Sequence, residues 1–172
     1  MRLFISSYLI LSIFYISATY QLQIDPFNCK RWSFKDKIYQ LSELDHVFTS
    51  HSATLDARVS LCQPLSLDQL ASPGADSCPV GSHVCIWKEV DGKRSIVAAF
   101  GAVSYASINS KGDVILYFFD GLKPSNNTSN IFPLIGRVAL IYTEGEKSAY
   151  MYGPDLDGSC LDFRLFSEKL KP

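Results

Sequence analysis

Five cysteines are the residues of this chain whose type and spacing most directly imply chemistry: Cys29, Cys62, Cys78, Cys85 and Cys160. In an oxidising compartment their default chemistry is disulfide formation, and an odd number leaves one thiol over. A zinc site is the rival for Cys78 and Cys85, because His83 lies between them. The sequence offers no second pair of ligands at metal spacing, so we favour disulfides and expect no metal.

Catalytic patterns do not accompany these cysteines. The sequence contains no Gly-x-Ser-x-Gly elbow, no Gly-rich phosphate loop and no His-Glu-x-x-His pattern. We expect His83 to be a solvent-facing turn residue, and Asp155-Leu-Asp157-Gly158 to be a turn because it lacks the further ligands of a calcium loop. A nucleophilic Cys160 would need a histidine that no local pattern supplies. We therefore expect a binding protein without a cofactor, not an enzyme.

The amino terminus predicts entry into the secretory pathway. Met1-Arg2 is a short basic start, Leu3 to Ile16 is largely apolar, and Ser17-Ala-Thr19 supplies small residues. This pattern predicts a signal peptide over 1–18 and one mature domain over 19–172. An uncleaved signal anchor is the alternative, but the stretch is shorter than the roughly 20 apolar residues of a spanning helix. No later run reaches that length, so we expect no membrane span in the mature chain. The expected location is the lumen of the endoplasmic reticulum, Golgi, endosome or vacuole, or the cell exterior.

The charge balance narrows the class of partner. The chain has 16 basic and 17 acidic residues, and loss of the signal peptide removes only Arg2 from this count. A mature chain near −2 has neither the basic footprint of a nucleic-acid-binding protein nor a polybasic patch for anionic lipid. We expect no nucleic-acid partner.

Short apolar and aromatic runs between turn residues predict an all-β fold. The dipeptide Asp91-Gly92 is the strongest hairpin signal in the chain. Leu65 to Ala71 could form a single helical turn. Many short strands at close spacing favour a β-sandwich or a flattened β-barrel. The strands are expected over 84–90, 94–100, 113–119, 138–143, 148–152 and 161–166.

The most polar segment, 122–130, carries two overlapping glycosylation sequons at Asn126 and Asn127. Because the chain is expected to be secreted and the segment is loop-like, we predict a glycan on one of the two asparagines at a time. An unmodified polar turn is the alternative.

Several segments together resemble one known family, the mannose 6-phosphate receptor homology (MRH) domain, in the version found in the autophagy-related protein 27 family. The match covers most of residues 27–166, and it implies a flattened β-barrel stabilised by disulfides. The cysteine spacing is its more specific part, whereas the strand patterns are generic. The matching segments are Tyr39-Gln-Leu-Ser-Glu-Leu44, Val59-Ser-Leu-Cys62-Gln-Pro-Leu65, Cys78-Pro-Val-Gly-Ser-His-Val-Cys85, Asp113 to Gly121, Gly136 to Tyr142 and Gly158-Ser-Cys160.

The resemblance implies two disulfides, Cys29–Cys62 and Cys78–Cys85. The family's next disulfide would use Cys160, but Thr143-Glu144 stands where its partner should be. Cys160 is therefore expected to be unpaired, with a buried inert thiol as the favoured interpretation. A disulfide-linked dimer through Cys160 is the alternative.

Lectin members of the family hold mannose with a glutamine, an arginine, a glutamate and a tyrosine. Arg137 lies near the arginine position, whereas Asp162 stands where the tyrosine is expected. Without buried polar partners the recognition energy for a sugar hydroxyl is largely lost. The resemblance thus offers Arg137 as a weak candidate for glycan binding, and we favour its being a strand-surface charge.

The expected function follows from the resemblance. It implies a lumenal domain that binds a protein or glycoprotein ligand and supports vesicular protein traffic or autophagy-linked membrane transport. A glycan-binding lectin, or a regulatory subunit in glycoprotein quality control, is the alternative. Members of the autophagy-related family continue into a membrane span, whereas this sequence stops at Pro172, so we expect either a divergent relative without an anchor or an open reading frame that has lost its anchor.

Overall fold

The computed structural model describes residues 27–28, 31–34, 37–39, 41, 44–71, 76–119, 121, 135–146, 148–157 and 160–170. Within these residues the chain forms eleven strands, one short helix and a C-terminal 3-10 turn, which confirms the predicted all-β class. In this part of the chain no helix is both long and apolar enough to span a bilayer. The elements are β1 (Trp32–Phe34), β2 (Lys37–Tyr39), β3 (Phe48–His51), β4 (Leu55–Val59), α1 (Leu67–Leu70), β5 (Val84–Val90), β6 (Lys93–Phe100), β7 (Tyr105–Ile108), β8 (Val114–Phe118), β9 (Ile135–Tyr142), β10 (Tyr150–Asp157), β11 (Cys160–Ser167) and the 3-10 turn Glu168–Leu170.

The described strands form three sheets. One has five strands in the order β10-β11-β9-β8-β7, a second has four in the order β3-β4-β5-β6, and β1 pairs with β2. All pairings are antiparallel except that of β9 with β11, which run parallel with Arg137 opposite Asp162. This one parallel pair brings together two residues that are 25 positions apart in the chain, on the outer face of the larger sheet.

The two larger sheets enclose the core. Side chains alternate along β8 and β11, so that residues such as Leu116 and Leu161 are buried while their neighbours face outward. The sheet edges also meet, because the Ser50 hydroxyl on β3 donates hydrogen bonds to the carbonyls of Gly153 and Met151 on β10. Buried Ser50 thereby satisfies its own polar group while linking the sheets.

Phe100 fixes the spacing between the sheets at the end of β6. Its ring is fully buried and lies against the bare Cα atoms of Gly121 and Gly136. A Cβ added at Gly136 would meet the Phe100 Cε2 and Cδ2 atoms at 3.2 and 3.3 Å. The absence of a side chain on β9 at this position therefore lets the aromatic ring fit, as interiors packed to crystal-like density require.

A second, smaller core covers the outer side of the four-stranded sheet. Trp87 and Ile96 point into it, and Leu70 of α1 packs over them. Arg58 ties the helix down: its Nη1 donates to the carbonyls of Gln69 and Ala71 at 2.6 and 2.8 Å. The Arg58 guanidinium also lies 5.4 Å from the centre of the Trp87 ring, a favourable cation–π distance. Because both faces of this sheet are covered, the first half of β5 is buried without alternation.

The segment that opens the family resemblance belongs to the main core. Tyr39, Leu41 and Leu44 are all buried there. Burial raises the pKa of the Tyr39 hydroxyl. The spacing of these three residues is thus explained by packing. The other residues of this motif, Gln40, Ser42 and Glu43, lie outside the described part of the chain.

The hairpin at Asp91-Gly92 forms as predicted, with strands over Val84–Val90 and Lys93–Phe100. Asp91 and Gly92 have φ angles of 53° and 73°, as a two-residue turn with both φ positive requires. The prediction for residues 155–157 was wrong. They are strand and not turn, because β10 continues past Gly153-Pro154 through a register shift and pairs again with β11.

Candidate functional site

The outer face of the five-stranded sheet, which is turned away from the core, carries a cross-strand row of polar and aromatic side chains. The register places Tyr105 opposite Tyr117, Tyr117 opposite Arg137, and Arg137 opposite Asp162. The next outward row runs through Ile115 and Ala139 to Arg164 on β11. Directly opposed residues on one face of a sheet have Cβ atoms about 5 Å apart, so these side chains form one continuous surface.

Arg137 and Asp162 form a two-pronged ion pair at the middle of this face, which we call the fork. The Arg137 Nε and Nη2 atoms donate to the two oxygens of Asp162, each at 2.5 Å. The two side chains are 31% and 27% exposed, so the pair is half-buried on the outer face of the sheet. Paired guanidinium and carboxylate groups in this geometry are rigid and directional.

A depression of about 260 Å³ opens beside the fork. Ala139 lies in the middle of its lining, where its small side chain leaves space between the longer residues around it. Ile115 and Tyr117 add apolar surface, while Asn109 and Arg164 add polar groups. The depression thus combines fixed hydrogen-bonding groups with ring and aliphatic surface, the composition typical of small-ligand sites.

Tyr117 is held in place on three sides. The Ser107 hydroxyl donates to the Tyr117 hydroxyl oxygen at 3.2 Å, and the Tyr105 and Phe119 rings lie 5.5 and 6.0 Å from its ring centre. These contacts orient the Tyr117 ring beside the fork before any ligand arrives. A prearranged ring loses little conformational entropy on binding.

The Asn109 side chain closes the turn between β7 and β8 at the rim of the depression. Its Oδ1 accepts from the backbone N–H groups of Lys111 and Asp113, each at 2.9 Å. Its Nδ2 donates to the Asp113 carboxylate, also at 2.9 Å. With both ends engaged, Asn109 forms a fixed wall of the depression.

Three aromatic rings stand on the same outer face, on the far side of the fork from Tyr117; we call them the ring cluster. Tyr150 stacks on Phe166 at 5.2 Å and 15°, and Tyr152 meets both rings edge-on at 5.5 and 5.8 Å. Tyr152 is 61% exposed and Tyr150 is 36% exposed. Such contacts between rings hold each of them in a defined orientation.

The structure joins Cys78 and Cys85 in a disulfide, with Cα atoms 6.1 Å apart. This bond overturns the zinc alternative, since neither sulfur is left as a thiolate ligand, and no group of three metal-binding side chains occurs among the described residues. Cys160 carries a free thiol. The Cys160 side chain lies on β11, the strand that carries Asp162, and it is half-buried. The favoured interpretation had been a fully buried thiol. The pairing of Cys29 with Cys62 stays a prediction, since Cys29 lies outside the described residues.

The prediction that His83 faces solvent was wrong. His83 is 7% exposed, and its Nδ1 lies 3.2 Å from the Ser60 carbonyl oxygen, to which the neutral ring donates. Burial lowers the pKa of the imidazole below its ordinary value, and the Ser60 contact opposes this in part. His83 is buried because its backbone bridges Phe100 and Ser60 between β6 and the end of β4.

A second depression, at the far end of the four-stranded sheet, is charged and shallow. Asp56 there contacts Arg94 at 2.7 Å and His51 at 2.6 Å, and Arg94 also contacts Glu89 at 3.1 Å. Each carboxylate in these contacts has a positive or neutral partner at the surface, where such pairs contribute little. The sequons at Asn126 and Asn127 and the expected signal peptide lie outside the described residues.

Comparison with known proteins finds a solved structure with a similar fold. No family model matches the sequence, and no curated protein matches it. The structure is similar to domain 11 of the echidna receptor for mannose 6-phosphate and insulin-like growth factor 2, solved in solution by NMR, with a TM-score of 0.51 and 12% sequence identity. The similarity covers 83% of this chain and 94% of that domain. At this identity the likeness establishes a shared fold, and it agrees with the all-β fold class that the sequence predicted.

Sequence reasoning singled out Arg137 but missed the residue that completes the fork. Asp162 was noted only as a departure from the family tyrosine, and its partner emerges from the parallel pairing of β9 with β11. Tyr117 and the ring cluster gave no signal beyond general aromatic content. An alternating pattern of outward rings on β8, β10 and β11 would have been the available clue.

Proposed function

We propose that this chain is a non-catalytic glycan-binding domain of the secretory lumen, and that the depression beside the fork is its sugar site. The observation that carries the proposal is the bidentate Arg137–Asp162 pair at 2.5 Å, next to the prearranged Tyr117 ring. This arrangement favours the lectin-type function over the sorting role as the primary one.

The chemistry of the fork suits a sugar. An arginine has five N–H donors and a carboxylate has about four acceptor sites, so both members of the ion pair can also take part in hydrogen bonds with ligand hydroxyls. Vicinal hydroxyls of a sugar ring both donate and accept, and the fork presents both functions side by side. The Tyr117 ring offers its negative face to the C–H groups of the sugar.

The size of the depression limits what it can hold. At about 260 Å³ it lies just below the range of roughly 300–1,000 Å³ that holds drug-sized ligands. One sugar ring fits this volume. The two polar functions and the adjacent ring would then fix its orientation.

The compartment supports this proposal. The Cys78–Cys85 disulfide is consistent with an oxidising lumen or the cell exterior, and the fold is that of a receptor domain. Glycoproteins are the natural source of glycans in such a compartment. We therefore propose a glycoprotein as the partner and no enzymatic activity.

A role in vesicular traffic or autophagy-linked transport is a finer proposal that follows from the sequence resemblance. Tyr39, Leu41 and Leu44 are core residues, so their pattern supports the fold and not a particular transport step. Tagging the chain at its carboxyl terminus and following its location by microscopy tests this role. Retention outside endosomes and vacuoles would count against it.

The main proposal is tested on a glycan array with the full chain secreted from a eukaryotic host. Asp162→Asn should weaken binding by roughly 10- to 100-fold, because hydrogen bonds to charged groups contribute about 1.5–3 kcal/mol. Asp56→Asn is a matched control, since Asp56 is 26% exposed and ion-paired on the other sheet. Absence of any glycan signal, or equal behaviour of the two variants, would overturn the proposal.

A further inference from the structure

The ring cluster lies in register with the sugar site. Tyr152 on β10 is opposite Arg164 on β11, and Arg164 is opposite Ala139 on β9. Arg164 is thus the edge of the depression nearest to Tyr152, and two strand spacings, or about 10 Å at roughly 4.8 Å per spacing, separate Tyr152 from Ala139. Both features face outward on the same sheet, so one extended ligand can touch both.

The cluster is built as a platform. Tyr150 and Phe166 stack nearly parallel at 15°, and Tyr152 braces both at close to a right angle. The three rings hold one another, so ordering them on binding has little entropic cost. Even so, Tyr152 keeps 61% of its surface exposed, which leaves an ordered aromatic surface open to a ligand.

The two arginines that lie between the sugar site and the ring cluster are each paired with a carboxylate. Arg137 is paired with Asp162 at 2.5 Å, and Arg164 lies 3.7 Å from Asp155. Among the described residues, both arginines that lie between the two features thus have a carboxylate beside them. A phosphate or carboxylate ligand would meet an equal negative charge at each arginine, so the face suits a neutral, hydroxyl-rich ligand.

We propose that the ring cluster is a second sugar subsite, and that the ligand is a neutral oligosaccharide of two or more units running across β9, β11 and β10. The inference rests on the proposed function and names its ligand class. One unit occupies the depression beside the fork. A second or third unit lays its C–H face on the Tyr152 and Tyr150 rings. The Arg164–Asp155 pair lies between the subsites and meets ligand hydroxyls.

A peptide is the less suitable occupant. Peptide hot spots are contiguous apolar pockets sheltered from water, whereas here the charged pairs interrupt the two aromatic areas. An oligosaccharide alternates hydroxyls and C–H faces along its length. It therefore matches the alternation of charged pair and ring along this face.

The test measures affinity against ligand length. A ladder of one to five α-linked mannose units, with a β-linked glucose ladder alongside, is titrated against the full secreted chain. Wild-type affinity should rise between one and three units in the ladder that binds. Tyr152→Ala should remove that rise, an effect of about three- to tenfold, because an aromatic contact contributes roughly 0.5–1.5 kcal/mol. Tyr152→Phe should restore it, since the ring and not the hydroxyl supplies the contact.

Tyr142→Ala is the matched control, because Tyr142 is 41% exposed at the carboxyl end of β9 and, by the alternation of the strand, lies off the outer face that carries Arg137 and Ala139. It should leave the length dependence unchanged. A rise in affinity that survives Tyr152→Ala, or preferred binding of a 6-phosphorylated mannose ladder, would overturn this inference while leaving the fork's role intact. Failure of the whole proposed function shows differently: no ladder binds, or Asp162→Asn has no effect on the single sugar. Saturable binding of a peptide library that Tyr152→Ala abolishes would also overturn the inference.

Discussion

Substitution of Gly136 tests the account of the core most sharply. In Gly136→Ala the new Cβ would lie 3.2, 3.3 and 3.5 Å from the Cε2, Cδ2 and Cζ atoms of the Phe100 ring. Phe100 is fully buried, so its ring cannot move outward to make room. Overpacking of this kind costs about 1–3 kcal/mol. Replacing glycine also reduces the conformational entropy of the unfolded chain, which raises the free energy of unfolding by about 0.4–1 kcal/mol.

The net expectation for Gly136→Ala is a loss of about 1–2 kcal/mol in the free energy of unfolding. For a chain of this length the midpoint of thermal unfolding should fall by roughly 2–8 °C. Urea unfolding followed by tryptophan fluorescence measures the first quantity, and calorimetry measures the second. Gly101→Ala is the control, since a Cβ there would meet no atom within 4 Å, and it should be neutral or slightly stabilising.

A double-mutant cycle assigns the cost to the ring. In a Phe100→Leu background the added Cβ at Gly136 finds more room, so its cost should fall towards that of the Gly101 control. Coupling of about 0.5 kcal/mol or more between Gly136 and Phe100 is expected for residues in contact. The reasoning is refuted if Gly136→Ala is as stable as Gly101→Ala, or if the two substitutions are additive.

Three further predictions concern the rest of the fold. The stability gained by keeping His83 neutral is complete above its ordinary pKa of 6.5 and declines as the pH falls below it, because the unfolded state then binds the extra proton. Urea unfolding should show that the free energy of unfolding of His83→Gln declines less steeply than that of the wild type between pH 6.5 and 4.5. The difference in slope is at most about 1.4 kcal/mol per pH unit, and identical slopes would contradict the prediction. Arg58→Ala removes the hydrogen bonds to the carbonyls of Asp68, Gln69 and Ala71 and the contact with Trp87. Unfolding at fixed pH should therefore show a loss of about 1–3 kcal/mol, and no loss would mean that α1 is held by apolar packing alone. Replacing Cys78 and Cys85 together with alanine opens a loop of seven-residue separation and should cost about 2–3 kcal/mol, while a reducing agent should lower the stability of the wild type by more than that of this variant.

The sequence identified those parts of the fold that depend on local chemistry. Asp91-Gly92 fixes a tight turn by backbone conformation alone, so the strands on either side were placed within one residue. The strand Leu55–Val59 was not among the expected strands, and Asp56 and Arg58 interrupt its apolar pattern. Both side chains are explained by partners elsewhere in the chain, Arg94 for the first and the α1 carbonyls for the second.

The strand expected over 148–152 covers only the first part of β10. It stopped just before Gly153-Pro154, a dipeptide of the kind that is typical of strand ends. In the structure Gly153 lies so close to β11 that an added Cβ would be 2.5 Å from the Asp162 carbonyl oxygen. Glycine is thus required there by close backbone approach, and the strand continues on the far side of the irregularity.

The candidate site could not be assembled from the sequence, because it depends on long-range register. Nothing local indicates that β9 and β11 run parallel or that Arg137 falls opposite Asp162. A shift of either strand by one residue would send these side chains to opposite faces. The resemblance drew attention to Arg137, while the identity of its partner had to come from the pairing of the strands.

The packing of the core and the geometry of the fork therefore depend on the same register of β9. Gly136, Val138 and Leu140 form the inward set on β9, and Arg137 projects outward because it lies between two of them. If β9 slipped by one residue, the Arg137 guanidinium would enter the core, where an unpaired charge costs several kcal/mol. A bulky residue would also replace Gly136 against the Phe100 ring. Both penalties act against the same error, so the glycine that admits the ring also specifies the register that aligns Arg137 with Asp162.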